Sequence, residues 1–215
     1  MSPSRILLLI SSALLLSACS ALGQQKMGVA LTAINYTDDD YDAVGIAMPD
    51  DIKTFEAMDR VSAYGGSGTM CCVALPEKWQ PGMKMVVLTQ AGTKAKTLEE
   101  WDKEKIPVIP HQVDVPRYTT PARVWIQIMS PDKVLVTVSN YSPENPNWPG
   151  EIKGGPKPSL EYRRKIWDRD NSLLQKQLKK MIEARDSKTD IKEKNSYQEA
   201  IDSIQEELKF RGKRP

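Results

Sequence analysis

The chain has 215 residues, of which 40% are hydrophobic and 27% are charged, a composition typical of a globular protein. Its 30 Lys and Arg residues nearly balance 28 Asp and Glu residues, which leaves a formal net charge of only +2. Proteins that bind DNA or RNA usually carry a strongly basic patch, so this balance argues against a nucleic-acid partner. Three cysteines are too few for a disulfide-rich scaffold, and the fold must therefore depend on a hydrophobic core.

The N-terminus has the pattern of a secretory signal. Arg5 precedes an apolar run over residues 6–16, which is about half the ~20 residues that a membrane-spanning helix needs. Residues 16–19, Leu-Ser-Ala-Cys, resemble the lipobox of bacterial lipoproteins, in which the cysteine becomes acylated. By that resemblance residues 1–18 are a signal peptide and Cys19 is the lipidated first residue of the mature chain, anchored by several acyl chains. The alternative is an ordinary signal peptide with an incidental cysteine.

The residue after the cysteine gives a further expectation about location. Ser20 follows Cys19, and lipoproteins of Gram-negative bacteria that carry serine rather than aspartate at this position usually reach the outer membrane. We therefore expect a lipid-anchored protein on the periplasmic face of the outer membrane, with residues 19–26 as a lipidated tether.

Residues 27–150 predict a β-rich domain. Alternating apolar residues and β-branched residues indicate strands that are separated by turn signals. The clearest pair is a hairpin of residues 123–129 and 134–139, with Pro131 in its turn. The acidic residues 49–60 predict an insertion with a helical turn. The strands indicated are residues 29–36, 44–48, 69–75, 84–89, 123–129 and 134–139.

In the remaining part of the chain, the spacing of the apolar residues changes. Prolines and glycines make residues 151–158 a linker. Residues 159–215 carry 15 basic and 11 acidic side chains, and apolar residues recur there at helical spacing, which predicts two amphipathic helices, the second from about Ser196. The fold class expected is therefore α+β: an antiparallel, sandwich-like β-rich domain followed by two C-terminal amphipathic helices. We expect the helices to form a hairpin packed on each other or on the sheet; the alternative is a dedicated partner-binding surface.

Several short motifs resemble the bacterial lipoproteins of the domain of unknown function 3304 family. The most specific is Cys-Cys-Val-x-Leu-Pro-x-x-Trp-x-Pro-Gly at residues 71–82. The resemblance covers about residues 27–150 and excludes the predicted helices. It implies an association with phospholipase effectors of type VI secretion systems, for which lipoproteins of this kind serve as immunity partners. The other matching segments are residues 28–31, 35–37, 65–68, 115–118, 134–140 and 145–149.

The adjacent residues Cys71 and Cys72 are the most distinctive chemical feature. Neighbouring Cα atoms lie about 3.8 Å apart across a trans peptide, which is less than the roughly 4.4–6.8 Å that is usual for a disulfide. Four alternatives stay open: buried structural thiols, a vicinal disulfide that shapes the loop, an intermolecular disulfide, or redox chemistry. Two adjacent cysteines cannot supply tetrahedral zinc geometry, and the single histidine, His111, is expected in a proline-rich loop.

The motifs that accompany catalysis or cofactor binding are incomplete. Residues 65–69 approach a nucleophile elbow but lack its closing glycine, and His111 is the only candidate base of its type. Residues 38–42 have alternate aspartates with calcium-loop spacing, yet Ala43 and Pro49 stand where glycine and glutamate are needed. The sequence therefore predicts no enzyme, no metal and no cofactor.

Protein binding is the function class that remains. Tyr64 and Trp79, expected around the glycine loop, and Tyr141 with Trp148 are candidate partner-binding anchors, since aromatic residues dominate interface energetics. Each could instead pack in the core or a turn. The first hypothesis is an immunity protein that neutralises a type VI secretion phospholipase. The alternative is a structural or assembly lipoprotein of the cell envelope with no toxin partner.

Overall fold

The computed structural model describes residues 25–215, which divide into two compact units. The first unit ends at Pro156 and the second runs from Lys157 to Pro215. The predicted signal peptide and Cys19 lie outside the described residues. Residues 151–156, interpreted from the sequence as linker, are thus part of the first unit.

The first unit contains two four-stranded sheets, with strand orders β4-β1-β7-β8 and β3-β2-β5-β6. Within the described residues, β1 and β7 are parallel and every other strand pair is antiparallel. Together with the C-terminal helices, this confirms the α+β class. The elements are β1 Lys26–Asn35, β2 Tyr41–Met48, β3 Asp51–Val61, β4 Met70–Pro76, β5 Lys84–Ala91, α1 Leu98–Lys103, β6 Val108–Asp114, β7 Val124–Ser130, β8 Lys133–Val138, α2 Leu160–Asp186 and α3 Ile191–Phe210.

The core lies between the inner faces of the two sheets. The predicted hairpin is confirmed as β7 and β8, in which Val124 pairs with Val138 and Ile128 pairs with Val134. Alternate apolar residues along these strands face the same core. Ile126 is fully buried there, and burying a side chain of this size contributes about 1.5–3 kcal/mol.

The helical turn predicted within residues 49–60 is wrong, because this segment is strand β3. β3 lies at the edge of its sheet and pairs only with β2. Lys53 and Arg60 are exposed, whereas Val61 is fully buried. Five of the eleven residues of this edge strand are charged and its apolar residues do not alternate regularly, so its sequence lacks the usual strand signal.

His111 lies in strand β6 rather than in the predicted loop, so that prediction is also wrong. It pairs with Val87 of β5, and its Nε2 atom lies 2.8 Å from the Thr89 hydroxyl. Pro110 is tolerated in this strand because β6 is a sheet edge, where a missing N–H group costs no ladder hydrogen bond.

The glycine-rich loop extends β4 along the edge of β1. The Ser67 backbone N–H donates to the Ala33 carbonyl at 2.8 Å, and the Ala33 N–H donates to the Ser67 hydroxyl oxygen at 2.8 Å. Gly66 forms an isolated bridge with Ile34. The Ser67 hydroxyl thus replaces a ladder carbonyl, which gives this serine a structural place in the sheet.

Asn35 connects the two sheets at the end of β1. Its side chain is fully buried, and its Nδ2 atom donates to the carbonyls of Asp39 at 2.7 Å and Ser62 at 3.1 Å. Its Oδ1 atom accepts from the N–H of Thr37 at 2.9 Å and from the Thr37 hydroxyl at 2.7 Å. Because β1 belongs to one sheet and Ser62 follows β3 of the other, these bonds join the sheets at this end.

The second unit is a pair of helices, as the sequence predicted. Ser159 caps α2 and Asp190 caps α3, each by accepting a backbone N–H group of the first turn. The Asp190 cap starts α3 at residue 191, earlier than the predicted Ser196. Leu174 and Ile201 are the buried residues of the two helices. Among residues 25–215, no helix is both long enough and apolar enough to cross a bilayer.

Replacing Asn35 should destabilise the first unit. Asn35→Ala removes a fully buried amide and leaves the partly buried backbone groups of Thr37, Asp39 and Ser62 without their partner, and we expect a loss of about 2–4 kcal/mol in unfolding free energy. Urea unfolding measures the change. Asn140→Ala is the matched control, because Asn140 is exposed and is followed by Tyr-Ser much as Asn35 is followed by Tyr-Thr. An equal change in both variants would contradict the role given to Asn35.

The stability of the first unit should depend on the protonation of His111. Burial lowers the pKa of His111 below its usual value, and the nearby Asp132 carboxylate only partly opposes this effect. The unfolded chain therefore binds the proton more readily, so stability should be constant above about pH 6.5 and fall as the pH drops through the folded pKa. Urea unfolding between about pH 7.5 and pH 5.5 should show this slope, and His111→Gln should flatten it.

Candidate functional site

A cleft of about 350 Å³ opens between the two sheets at the end where β1 begins. Met48 and Ile52 are its exposed apolar residues, at 43% and 52% exposure, and Met83 and Met85 are partly buried in it. The volume lies within the range of about 300–1,000 Å³ that is usual for ligand pockets. We call this feature the methionine cleft and define it by Met48, Ile52, Met83 and Met85.

Three strand ends position the methionine cleft. Met48 ends β2 and pairs with Asp51 at the start of β3, so the β2–β3 hairpin forms one wall. Met85 lies at the start of β5, and both it and Met83 pack against the main core. Buried residues of β4, including Leu75, also line the cleft. The cleft is therefore continuous with the sandwich core at an end that the two sheets leave open.

Trp79 is fixed beside this open end. Its indole N–H donates to the Val115 carbonyl at 2.8 Å, and Val115 is a buried residue of the cleft lining. The Tyr118 hydroxyl donates to the Pro76 carbonyl at 2.7 Å, and burial raises the pKa of Tyr118 above its usual value. The sequence-predicted anchor Trp79 is thus partly buried and supports the wall next to Met83.

The rim of the cleft carries a lysine, Lys26, that forms no ion pair within residues 25–215. Lys26 of β1, Lys84 of β5 and Glu56 of β3 are its charged lining residues. Lys84 is 3.4 Å from Asp114, but both side chains are exposed, so this ion pair is weak. Within residues 25–215, no carboxylate lies within ion-pair distance of Lys26. A negatively charged group would therefore find an available partner at this rim.

Cys71 and Cys72 form a disulfide in β4, and both residues are exposed. The alternative of buried thiols is therefore wrong. The pairing of β4 with β1 shifts between Val29 and Leu31, so that the two cysteines oppose the single residue Ala30. This β-bulge removes the strict alternation that would have directed the two side chains to opposite faces of the sheet.

Tyr64 lies far from Trp79, although the sequence grouped both around the glycine loop. The Tyr64 N–H donates to the Thr37 carbonyl at 3.0 Å, just beyond the C-terminal end of β1. Trp79 and the methionine cleft lie at the other end of this ten-residue strand, which spans about 30 Å. The two residues therefore cannot belong to one small contact surface, and the expected grouping is corrected.

Trp148 is buried, which removes it from the candidate anchors. Its exposure is 3%, its ring packs edge-on against Trp125 with centroids 5.8 Å apart, and its indole N–H donates to the Ile152 carbonyl at 2.9 Å. This small apolar cluster, which also includes Ile34, is separate from the main core. Tyr141, the other anchor predicted in this region, is 45% exposed.

The sequence analysis missed the methionine cleft. Met48, Ile52 and Met85 are far apart in the chain, and only the pairing of the strands brings them together. One local signal existed, because Met83 and Met85 alternate around Lys84 and therefore face the same side. The presence of methionine does not indicate whether such a face is covered by the core or borders a solvent-filled cleft.

Comparison with known families supports the resemblance noted in the sequence. Residues 34–136, just under half of the chain, match the family described as Protein of unknown function (DUF3304). The match shows that this segment is similar to that family. It includes all four residues that define the methionine cleft and excludes Lys26 and the helical unit. Comparisons with curated proteins and with solved structures give no match.

The disulfide predicts a specific thiol count. A chain that begins at Ser20 contains Cys71 and Cys72 and no other cysteine. We expect no free thiol before reduction, and two after mild reduction under native conditions, because both residues are exposed. Alkylation followed by mass spectrometry measures both values. Two thiols in the untreated protein, purified from an oxidising compartment, would contradict the assignment.

Proposed function

We propose that this protein is a lipid-anchored, periplasm-facing protein of the outer membrane that acts by binding another protein. The observation that carries the protein-binding part is the methionine cleft. It presents Met48 and Ile52 to solvent in a cleft whose lining is mainly apolar. Exposed apolar surface bordered by charges marks interaction sites, and methionine side chains adapt well to a partner's shape.

The specific proposal is an immunity protein that neutralises a phospholipase of a type VI secretion system. This part depends on the family resemblance, since the matched family has no assigned function. Such a protein works by occupying a functional surface of the toxin. The cleft is a candidate for that contact because apolar anchors buried at the centre of an interface supply most of the binding energy.

The proposed anchor and the cleft are compatible in position. Cys19 is seven residues before Lys26, which lines the cleft, and seven residues of chain reach at most about 25 Å. Lipidation of Cys19 would therefore keep this end of the sheets close to the membrane. A phospholipase acts on membrane lipids, so the cleft would be held where such an enzyme works.

The test is to mix the chain beginning at Ser20 with the phospholipase encoded beside its gene. We expect the two to co-elute and phospholipase activity to fall in proportion to the complex formed. Met48→Glu should weaken binding at least about tenfold, because it places a charge in the apolar contact. Met58→Glu is the matched control, since Met58 is 57% exposed on β3 and does not line the cleft.

The opposite result would favour the alternative function. Absence of a complex at micromolar concentrations, with undiminished phospholipase activity, would contradict the immunity proposal. The structural or assembly lipoprotein of the envelope would then be the better hypothesis. If Met48→Glu and Met58→Glu weakened binding equally, the complex would still be supported, but the cleft would be excluded as its contact surface.

A further inference from the structure

The free edge of β4 has little capacity to bind an added strand. The Glu77 N–H donates to the Gln25 carbonyl at 2.9 Å, which marks this pair as hydrogen-bonded. Because such pairs alternate along an antiparallel ladder, the backbone groups of Pro76 and Ala74 point away from β1. Pro76 has no N–H group, and the bulge at Cys71 interrupts the edge beyond Ala74.

The free edge of β3, on the other side of the cleft, is also protected. Its pairing with β2 shifts register at three places. Lys53, Glu56 and Arg60 are exposed along it. Bulges and charged side chains are the features by which proteins prevent strand addition at sheet edges. A partner entering the cleft therefore finds few backbone groups with which to pair.

This constraint selects the conformation of the partner segment. A segment whose backbone obtains no hydrogen bonds from the cleft must satisfy its own groups, and a helix does so. A helix with side chains is about 10–12 Å wide, so a cleft of about 350 Å³ can receive its apolar side chains while the helix rests on the rim. Methionine-lined grooves suit this mode because they adapt to different side chains.

The charge at the rim selects the chemistry of that helix. Lys26 has no acidic partner among residues 25–215, and Lys84 has only the exposed Asp114. Resting on the proposed function, we propose that the methionine cleft binds an amphipathic helix of the phospholipase, whose apolar face enters the cleft and whose acidic residue pairs with Lys26. Strand addition at β4 makes no contribution.

Variants of Lys26 and Ala74 separate this binding mode from its alternatives. With the chain from Ser20 and the phospholipase, Lys26→Glu should weaken binding about tenfold and Lys26→Arg should change it less than about threefold. Lys78→Glu, at an exposed lysine that does not line the cleft, is the charge control and should have little effect. Ala74→Pro removes an outward N–H group of the β4 edge, but Ala74 also lines the cleft. Its control is therefore Ala74→Val, which keeps that N–H group, and the two affinities should agree within about twofold.

Each opposite result overturns the inference while leaving the proposed function intact. A loss of more than about tenfold in Ala74→Pro but not in Ala74→Val, with unchanged circular dichroism and melting temperature, would indicate strand addition. Equal effects of Lys26→Glu and Lys78→Glu would show that the rim charge does not select the partner.

A separate probe decides the inference if the phospholipase does not bind, which would itself contradict the proposed function. The probe is a designed helical peptide with leucines at i, i+3, i+4 and i+7 and glutamates beside them. Binding measured by calorimetry, and reduced by Lys26→Glu and Met48→Glu but not by Ala74→Pro, would support the cleft as a helix-binding site. Absence of binding to the unmodified protein at about 1 mM peptide would overturn the inference, because a dissociation constant of about 1 mM corresponds to a binding free energy of only about 4 kcal/mol.

Discussion

The hydrogen bonds of Asn35 are the constraint on which the arrangement of the two sheets depends. Four bonds from one buried amide hold the turn after β1 and the chain that leaves β3. A buried amide is stable only when its donors and acceptors are satisfied, so this geometry permits little variation. The loop after β3 then crosses to the other sheet, where Ser67 completes the edge of β1. One end of the sandwich is closed in this way.

Among residues 25–215 the opposite end has no comparable closure, and the methionine cleft lies there. Trp79 and Tyr118 brace the chain around it through bonds to backbone carbonyls, which leaves the apolar side chains of Met48 and Ile52 in contact with solvent. The strand edges on both sides are protected by a bulge, a proline and charges. These features together favour recognition through side chains over recognition through the backbone.

The success of individual predictions followed the strength of the local pattern. The β7–β8 hairpin was predictable because its residues alternate strictly and Pro131 marks its turn. Residues 49–60 were misassigned because an edge strand exposed on most sides has a polar sequence. The two alternatives for Trp148, partner anchor or packed residue, stayed open because a tryptophan between prolines gives no indication of whether it lies outside or folds back onto Trp125. The cleft was missed because its members come from β2, β3 and β5 and from the chain that enters β5.

The sequence by itself determined the α+β class, the strong hairpin and the two helices, since each follows from a period of a few residues. It also contains the whole basis for the expected lipid anchor. Only the tertiary structure decided that Cys71 and Cys72 form an exposed disulfide and that Tyr64 and Trp79 lie at opposite ends of β1. It also decided that Lys26 lines the same cleft as the methionines. These features depend on strand register and on which sheet end remains open, and both result from contacts between residues distant in the chain.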